Sequence, residues 1–272
     1  MILKILLRHV DEAIVVKTKV RNYMARFAND EITAFKSWDV ENTYIYMAKG
    51  RKTTFLSVTG APDLAQVEAA VKRLAGLPDD PLYVPVGGPK LPTRRESPED
   101  FEKLPDLVKT AIDSAQDVER NAGVIHLMYV ETEYEDSTGR AGGFSINRVY
   151  MTVRSFVGEL SATAAAAGRR LTEINAGRLG EENSHILSLA RGLPQIRIDP
   201  TRADVLLSPL VFGHLAGQVA YFWTNGAEVV ANSSRYAKDD IGQQVASELL
   251  TVLEKTYDES AHGHVPFDFE GT

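Results

Sequence analysis

An α+β fold is predicted for this chain: a mixed or antiparallel sheet with packed helices, followed by part of a β-rich second domain. Three observations predict it. Strand-like stretches fall into two blocks, residues 13–58 and 124–156, with helical patterning between the blocks and after the second. Strands gathered in runs, rather than alternating one for one with helices, indicate α+β layering. Turn signals separate the runs inside each block, as an antiparallel meander requires. An apolar helix-like run, 209–223, then opens the most patterned part of the chain, 206–272, and a boundary near Leu193 divides residues 1–193 from residues 194–272.

Each element follows from local pattern. Residues 2–7 are mostly apolar, which suits a buried helical turn or a strand equally. Val15, Lys17, Lys19, Arg21 and Tyr23 alternate within residues 13–27 and predict a strand with one wet face. Asn29-Asp30 is a turn signal. Short strands over 32–38, 43–47 and 53–58 follow at meander spacing, with Gly50 turning between the last two. Pro62 opens a helix whose stripe is Val67, Ala70, Val71 and Leu74 and which ends at Gly76. Residues 77–97, with Pro78, Pro81, Pro85, Pro89, Pro92 and Gly87-Gly88, make a surface connector.

Ser97 as N-cap with Pro98 at the first helical position predicts a second helix, restarted at Pro105. Strands over 124–135 and 144–156 are joined by a hairpin turn at DSTG (136–139). The small side chains of SATAAAA (161–167) suit an edge strand or tight packing, or a substrate backbone lying against them. A third helix is predicted over 181–191, ended by Gly192 and Pro194. Strands are expected at 196–198 and 204–207, a β-like AEVVA follows Asn225-Gly226, and a second patterned run covers 241–253.

Composition bounds the function. The chain has 272 residues, 44% hydrophobic and 25% charged, enough to bury a core without cross-links. It has no cysteine, which excludes disulfides, thiolate metal sites and a cysteine nucleophile, and fits a cytoplasmic protein. The net charge is −7 and the pI about 5.5. Arg94-Arg95 and Arg169-Arg170 are the densest basic pieces, so no electrostatic footprint for nucleic acid is present. The start, MILKILLRHVDEA, is too short and too charged for a secretory signal. The longest apolar run is broken by Pro209, His214 and Gln218, so no membrane span is expected.

Motifs for catalysis are sparse. No glycine-rich loop opens a helix with Lys-Ser/Thr, and no Gly-x-Ser-x-Gly elbow occurs. Six histidines are present, at 9, 126, 185, 214, 262 and 264. His9 and His126 sit in or beside apolar runs and read as core or edge residues; His185 follows Glu181 and Glu182 on a helix. His262 and His264 would share a face on a strand but have no third ligand in the pattern. His214 lies in the apolar helical run, where it is either a satisfied buried imidazole or a groove-lining residue. Asp268 and Glu270 flank Phe269, so on a strand both carboxylates would point the same way. No catalytic residue and no metal ligand is assigned; His214, Asp268 and Glu270 are the candidate site residues.

An ordered series of segments carries a resemblance. NDE (29–31) ends an early strand, then come ETEYEDSTG (131–139) and YMTVRSFVGELSATAAAAGRRL (150–171). DVLLSPLVFGHLAG (204–217), DDIGQQVASELLTV (239–252) and PFDFEGT (266–272) follow. The series resembles the TldD/PmbA family, also called the modulator-of-DNA-gyrase family: two-domain proteins linked to zinc-dependent peptide cleavage. The resemblance covers nearly the whole chain, and the order of its last three segments is its most specific part.

In the peptidase-bearing branch, the segment matching 209–214 carries His-Glu-x-x-x-His. Here it reads PLVFGH, with the last His alone. The resemblance therefore implies the PmbA/TldE-like branch, a non-catalytic subunit that pairs with a TldD-like subunit, or with itself, to form a chamber holding extended peptide, with His214, Asp268 and Glu270 lining the peptide groove. No cofactor is expected in this chain, and zinc is expected only in a partner subunit.

The family's chain runs on beyond its D-x-E-G segment, so a fragment, a split gene product or a reduced relative is expected. Two alternatives stand beside this one. One is an active zinc peptidase with an atypical site at His214, His262, His264 and Glu270; the other is a peptide-binding or scaffold module without a peptidase partner. The acidic balance lends a gyrase link no direct support.

Overall fold

The structure is a computed structural model describing residues 2–194, 196–197, 199–253, 255, 258 and 261–272. The chain divides into two compact units, Met1–Leu193 with Thr256–Thr272, and Pro194–Lys255. The first unit is built on one sheet. Its strands are β1 (Glu12–Ala28), β2 (Glu31–Lys49), β3 (Lys52–Thr59), β4 (Thr93–Arg95), β5 (Arg120–Asp136), β6 (Ala141–Val157) and β7 (Leu160–Gly168). The spatial order is β3-β2-β1-β5-β6-β4, and β7 also pairs with β6. Every pairing is antiparallel except β4 with β6.

The hairpins follow from turn chemistry. Asn29 and Asp30 both have positive φ, 52° and 63°, the geometry of a two-residue primed turn that matches strand twist. Asp30 Oδ1 also accepts from Asn121 N (2.9 Å) and Nδ2 (2.8 Å), which fastens the turn to β5.

Alternation along β1 sorts the core into two faces. Ala13, Val15, Ala25 and Phe27 point to one face. There α1 (Ile2–Leu6) and α2 (Leu64–Ala75) cover one end through Leu6, Val67, Ala70 and Leu74. At the other end α3 (Leu104–Ser114) and α4 (Ala176–Arg191) supply Leu104, Val108, Ala111, Ala176 and Leu179. Ile14 and Val16 point to the opposite face, where Leu91 and Phe267 close a smaller cluster with Tyr134, Phe144 and Ile146.

The two helices α3 and α4 approach closely because Gly180 has no side chain; a Cβ there would lie 2.3 Å from Ala111 O. Asn183 of α4 is buried in the apolar stripe. It donates through Nδ2 to Val153 O (3.0 Å) and Ser155 Oγ (3.1 Å), and Ser155 in turn donates to Asn121. A polar chain thus runs from the β1–β2 turn to α4; its donors are paired, while Asn183 Oδ1 is buried without a hydrogen-bond partner among the described residues.

Several elements differ from their sequence-based expectation. The two strands expected at 32–38 and 43–47 are one, β2. The charged stretch between them stays extended, pairing Asp39 with Arg21 and Glu41 with Lys19. Lys19 Nζ lies 3.6 Å from Asp39 and 3.1 Å from Glu41, so these charges mark a wet face and not a break. The first expected helix begins after Asp63, whose carboxylate accepts from Gln66 N while Gln66 reaches back to Asp63 N; Pro62 lies before this capping box.

Ser97 does not cap a helix. Its carbonyl accepts from Asn147 Nδ2 (2.8 Å), and Asp100 caps a 3-10 turn, Phe101–Lys103, that leads into α3. The connector contains β4, and α4 starts at Ala176 on the Asn175 cap.

In the second unit α5 (Pro209–Trp223) occupies the expected helical run, capped by Ser208. AEVVA lies in a short helix, α6 (Gly226–Val230), because Asn225 accepts from Ala227 N and caps it. Residues 204–207 and 241–253 form no strand or helix beyond a bend or turn, and the strand expected at 196–198 lies partly outside the described residues. No described helix is long and apolar enough to cross a membrane.

Candidate functional site

The candidate residues fall in both units. His214 lies on α5 and is exposed. Asp268 and Glu270 lie in the tail of the first unit, on a turn and not on the strand that was expected to align them. Asp268 closes that turn itself: Oδ1 accepts from Glu270 N (2.9 Å) and Thr272 N (3.0 Å), and Oδ2 from Thr272 Oγ1 (2.7 Å). Its carboxylate shapes the tail. Glu270 is exposed, and its carbonyl accepts from Tyr134 Oη (3.2 Å). His262 Nδ1 donates to Gly168 O (2.6 Å), and His264 Nδ1 accepts from Asp258 N (3.2 Å). Among the described residues no three His, Asp or Glu side chains converge to hold a metal ion.

The tail is held by one buried ion pair. Asp136 ends β5 and Arg140 follows the hairpin turn, Nε to Oδ2 at 2.7 Å. Arg140 Nη1 reaches Gly271 O (3.0 Å), and its Nη2 donates to Tyr134 Oη (2.9 Å). Burial pushes the Asp136 carboxyl upward, but hydrogen bonds from Thr138, Arg140 and Tyr134 outweigh it and hold the group below its ordinary value. Burial, with the Asp136 charge adjacent, pushes the Tyr134 phenol well above its ordinary value. Phe267 packs edge-on against Tyr134 and Phe144, which seats the tail on the sheet face.

A polar and aromatic group at the middle of that face was not singled out from the sequence. His126 sits across the strands from Met24 and Tyr150. Its Nε2 lies 3.1 Å from Asn22 Oδ1 and its Nδ1 3.2 Å from Tyr150 Oη. Asn22 Nδ2 donates to Trp38 O and Val20 O, so Oδ1 faces the imidazole and the proton sits on Nε2. Trp38, partly exposed, stacks on the ring with centroids 5.3 Å apart. The signal that could have found the group is pairing register, because these residues lie on four different strands.

Burial lowers the His126 pKa. The unfolded imidazole protonates near pH ~6.5, so the folded state holds fewer protons below that point. The stabilisation is complete above it and is lost as pH falls through the depressed folded value. Denaturation midpoints are therefore expected to drop as pH falls below about 6.5, and His126→Gln is expected to flatten that drop.

Sheet edges complete the picture. β3 pairs only with 42–49 of β2, so the outer edge of residues 31–41 has no strand partner among the described residues. β7 likewise pairs only with β6. Exposed Lys36, Asp39 and Glu41 on β2 guard that edge against indiscriminate pairing.

A curled, largely antiparallel sheet backed by helices defines the fold class of the first unit. Residues 200–272 match the sequence model of the family described as "PmbA/TldA metallopeptidase C-terminal domain". The fold is shared with a putative modulator of DNA gyrase from Bacteroides thetaiotaomicron, at a TM-score of 0.77 and 13% identity over 99% of this chain and 65% of that one. It is shared also with TldE from Thermococcus kodakarensis, at a TM-score of 0.54 and 15% identity over 69% of this chain and 46% of that one. The chain thus spans less than two thirds of the length of either. Comparison with curated proteins gives no match. The match over residues 200–272 and the shared fold both agree with the TldD/PmbA resemblance.

Proposed function

We propose that this chain is a non-catalytic, TldE-type subunit that helps to hold extended peptide for a TldD-like partner. The observation that carries the reading is α5. A His-Glu-x-x-x-His helix ending at His214 needs a histidine at 209 and a glutamate at 210; this helix has Pro209 and Leu210. Neither can ligate zinc or take a proton from a bound water, and the chemistry of such sites depends on both. The cleaving motif then belongs to the partner subunit.

Peptide holding is supported by the open strand edges. An extended chain added to residues 31–41 of β2, or to β7, gains main-chain hydrogen bonds whatever its sequence, which suits an unfolded substrate. The small side chains of β7 admit a second backbone without steric conflict. His214, exposed on the second unit, and Glu270, exposed on the first, are each taken in this reading as peptide-contacting groups.

The isolated chain is expected to leave an unfolded reporter peptide intact with or without added zinc. Mixing with a TldD-like subunit should restore turnover, and Glu→Gln in that partner's motif should abolish it. Cleavage by the isolated chain that disappears in His214→Ala would overturn the proposal.

A further inference from the structure

The two arginine pairs, far apart in sequence, converge on one cavity. β4 and β7 lie along the same edge of β6, pairing with 143–145 and 149–157 respectively. Between them Ile146, Asn147 and Arg148 have no strand partner on that side among the described residues. A cavity of about 460 Å³ opens there, lined by Arg94, Arg95, Arg169 and Arg170 against two carboxylates, Glu96 and Glu173.

Both carboxylates are already engaged. Glu96 pairs with Arg169 and accepts from Asn147 N (3.0 Å), while Glu173 accepts from Arg169 N (2.7 Å). Arg95 and Arg170 have no carboxylate partner among the described residues. The Arg95 guanidinium lies against β6 where Gly143 leaves room for it; a Cβ there would come 3.0 Å from Nη2. It also lines the adjoining cavity of about 390 Å³.

Arg148, two residues beyond Ile146 on the same face of β6, has a buried Nε without a hydrogen-bond partner among the described residues. Burial pulls its guanidinium below the ordinary value. In a chain of net charge −7, four guanidinium groups thus face two carboxylates around one concave site, and such a site concentrates anions.

We propose that this cavity binds a small ligand through an oxyanion, a carboxylate or a phosphate, gripped by Arg95 and Arg170. Guanidinium forks match both groups in geometry and bind them with charge-assisted hydrogen bonds. The cavity is compact and is not a basic stripe, so it suits one anionic group and not a nucleic-acid backbone. The inference does not depend on the peptide-holding reading.

Isothermal titration calorimetry of the full chain tests it. The probes are inorganic phosphate, N-acetyl-dialanine and the amide of that dipeptide. Saturable one-to-one binding of phosphate or of the free acid is expected, weakened roughly tenfold or more in Arg95→Gln/Arg170→Gln and unchanged in Lys109→Gln. Preference for free acid over amide identifies a carboxylate ligand; binding of phosphate alone identifies a phosphate ligand. Both arginines are exposed, so the double variant should keep its circular dichroism and thermal midpoint. No saturable binding of any probe, or binding that survives the double substitution, overturns the proposal.

Discussion

Asp136→Ala is expected to destabilise the first unit by about 3–5 kcal/mol, the cost of leaving a buried charge without its partner. The Asp136 side chain is 0% exposed and that of Arg140 9%. The carboxylate accepts from Thr138 N and Oγ1, Arg140 N and Nε, and Tyr134 Oη. Removal strands the guanidinium and unties the turn at once. Because Arg140 also holds Gly271 O, the tail should become sensitive to proteolysis after residue 265.

The same network sets an acid limit. The folded carboxyl is held below its ordinary value of about 3.9, so its contribution is complete above that pH and is lost as pH falls through the folded value. Urea titrations of the wild type and variant should converge at low pH. A variant as stable as the wild type at neutral pH would remove the ion pair from the account.

Phe27→Ala is expected to cost about 3–5 kcal/mol, with its site at the upper end of that range. Phe27 is 1% exposed and lies across from Gly123 of β5. Its ring fills the space Gly123 leaves; a Cβ on Gly123 would sit 2.6 Å from the ring and 2.1 Å from Thr152 O. A glycine has no side chain that can move into the vacated volume, so the cavity should persist. Calorimetric unfolding of the purified variant measures the loss.

Much of the first unit was legible because it obeys local rules. Val15 and its alternating neighbours, Asn29-Asp30 and the stripe Val67, Ala70, Leu74 state a strand, a turn and a helix within a few residues of sequence. Pro209–Trp223 was equally plain as a helix. The continuous β2 was not, because Asp39 and Glu41 read as a loop until Lys19 stands across from them.

The sites were harder for the same reason. His126 gains its meaning from Asn22, Trp38 and Tyr150 on three other strands. Arg94-Arg95 and Arg169-Arg170 look like minor pairs until β4 and β7 bring them to one edge of β6. Asp268 and Glu270 follow the period of a strand, yet Gly271, at φ +76°, belongs to a turn against Tyr134. Local pattern reports what one segment can do; a site assembled from distant segments needs the register.

The central claim is that the cleaving motif lies on another subunit. Affinity purification of the tagged chain from native extract, read by mass spectrometry, tests it most directly. The account predicts a stoichiometric partner whose sequence carries His-Glu-x-x-x-His. A chain that comes down alone, or only with copies of itself, contradicts it.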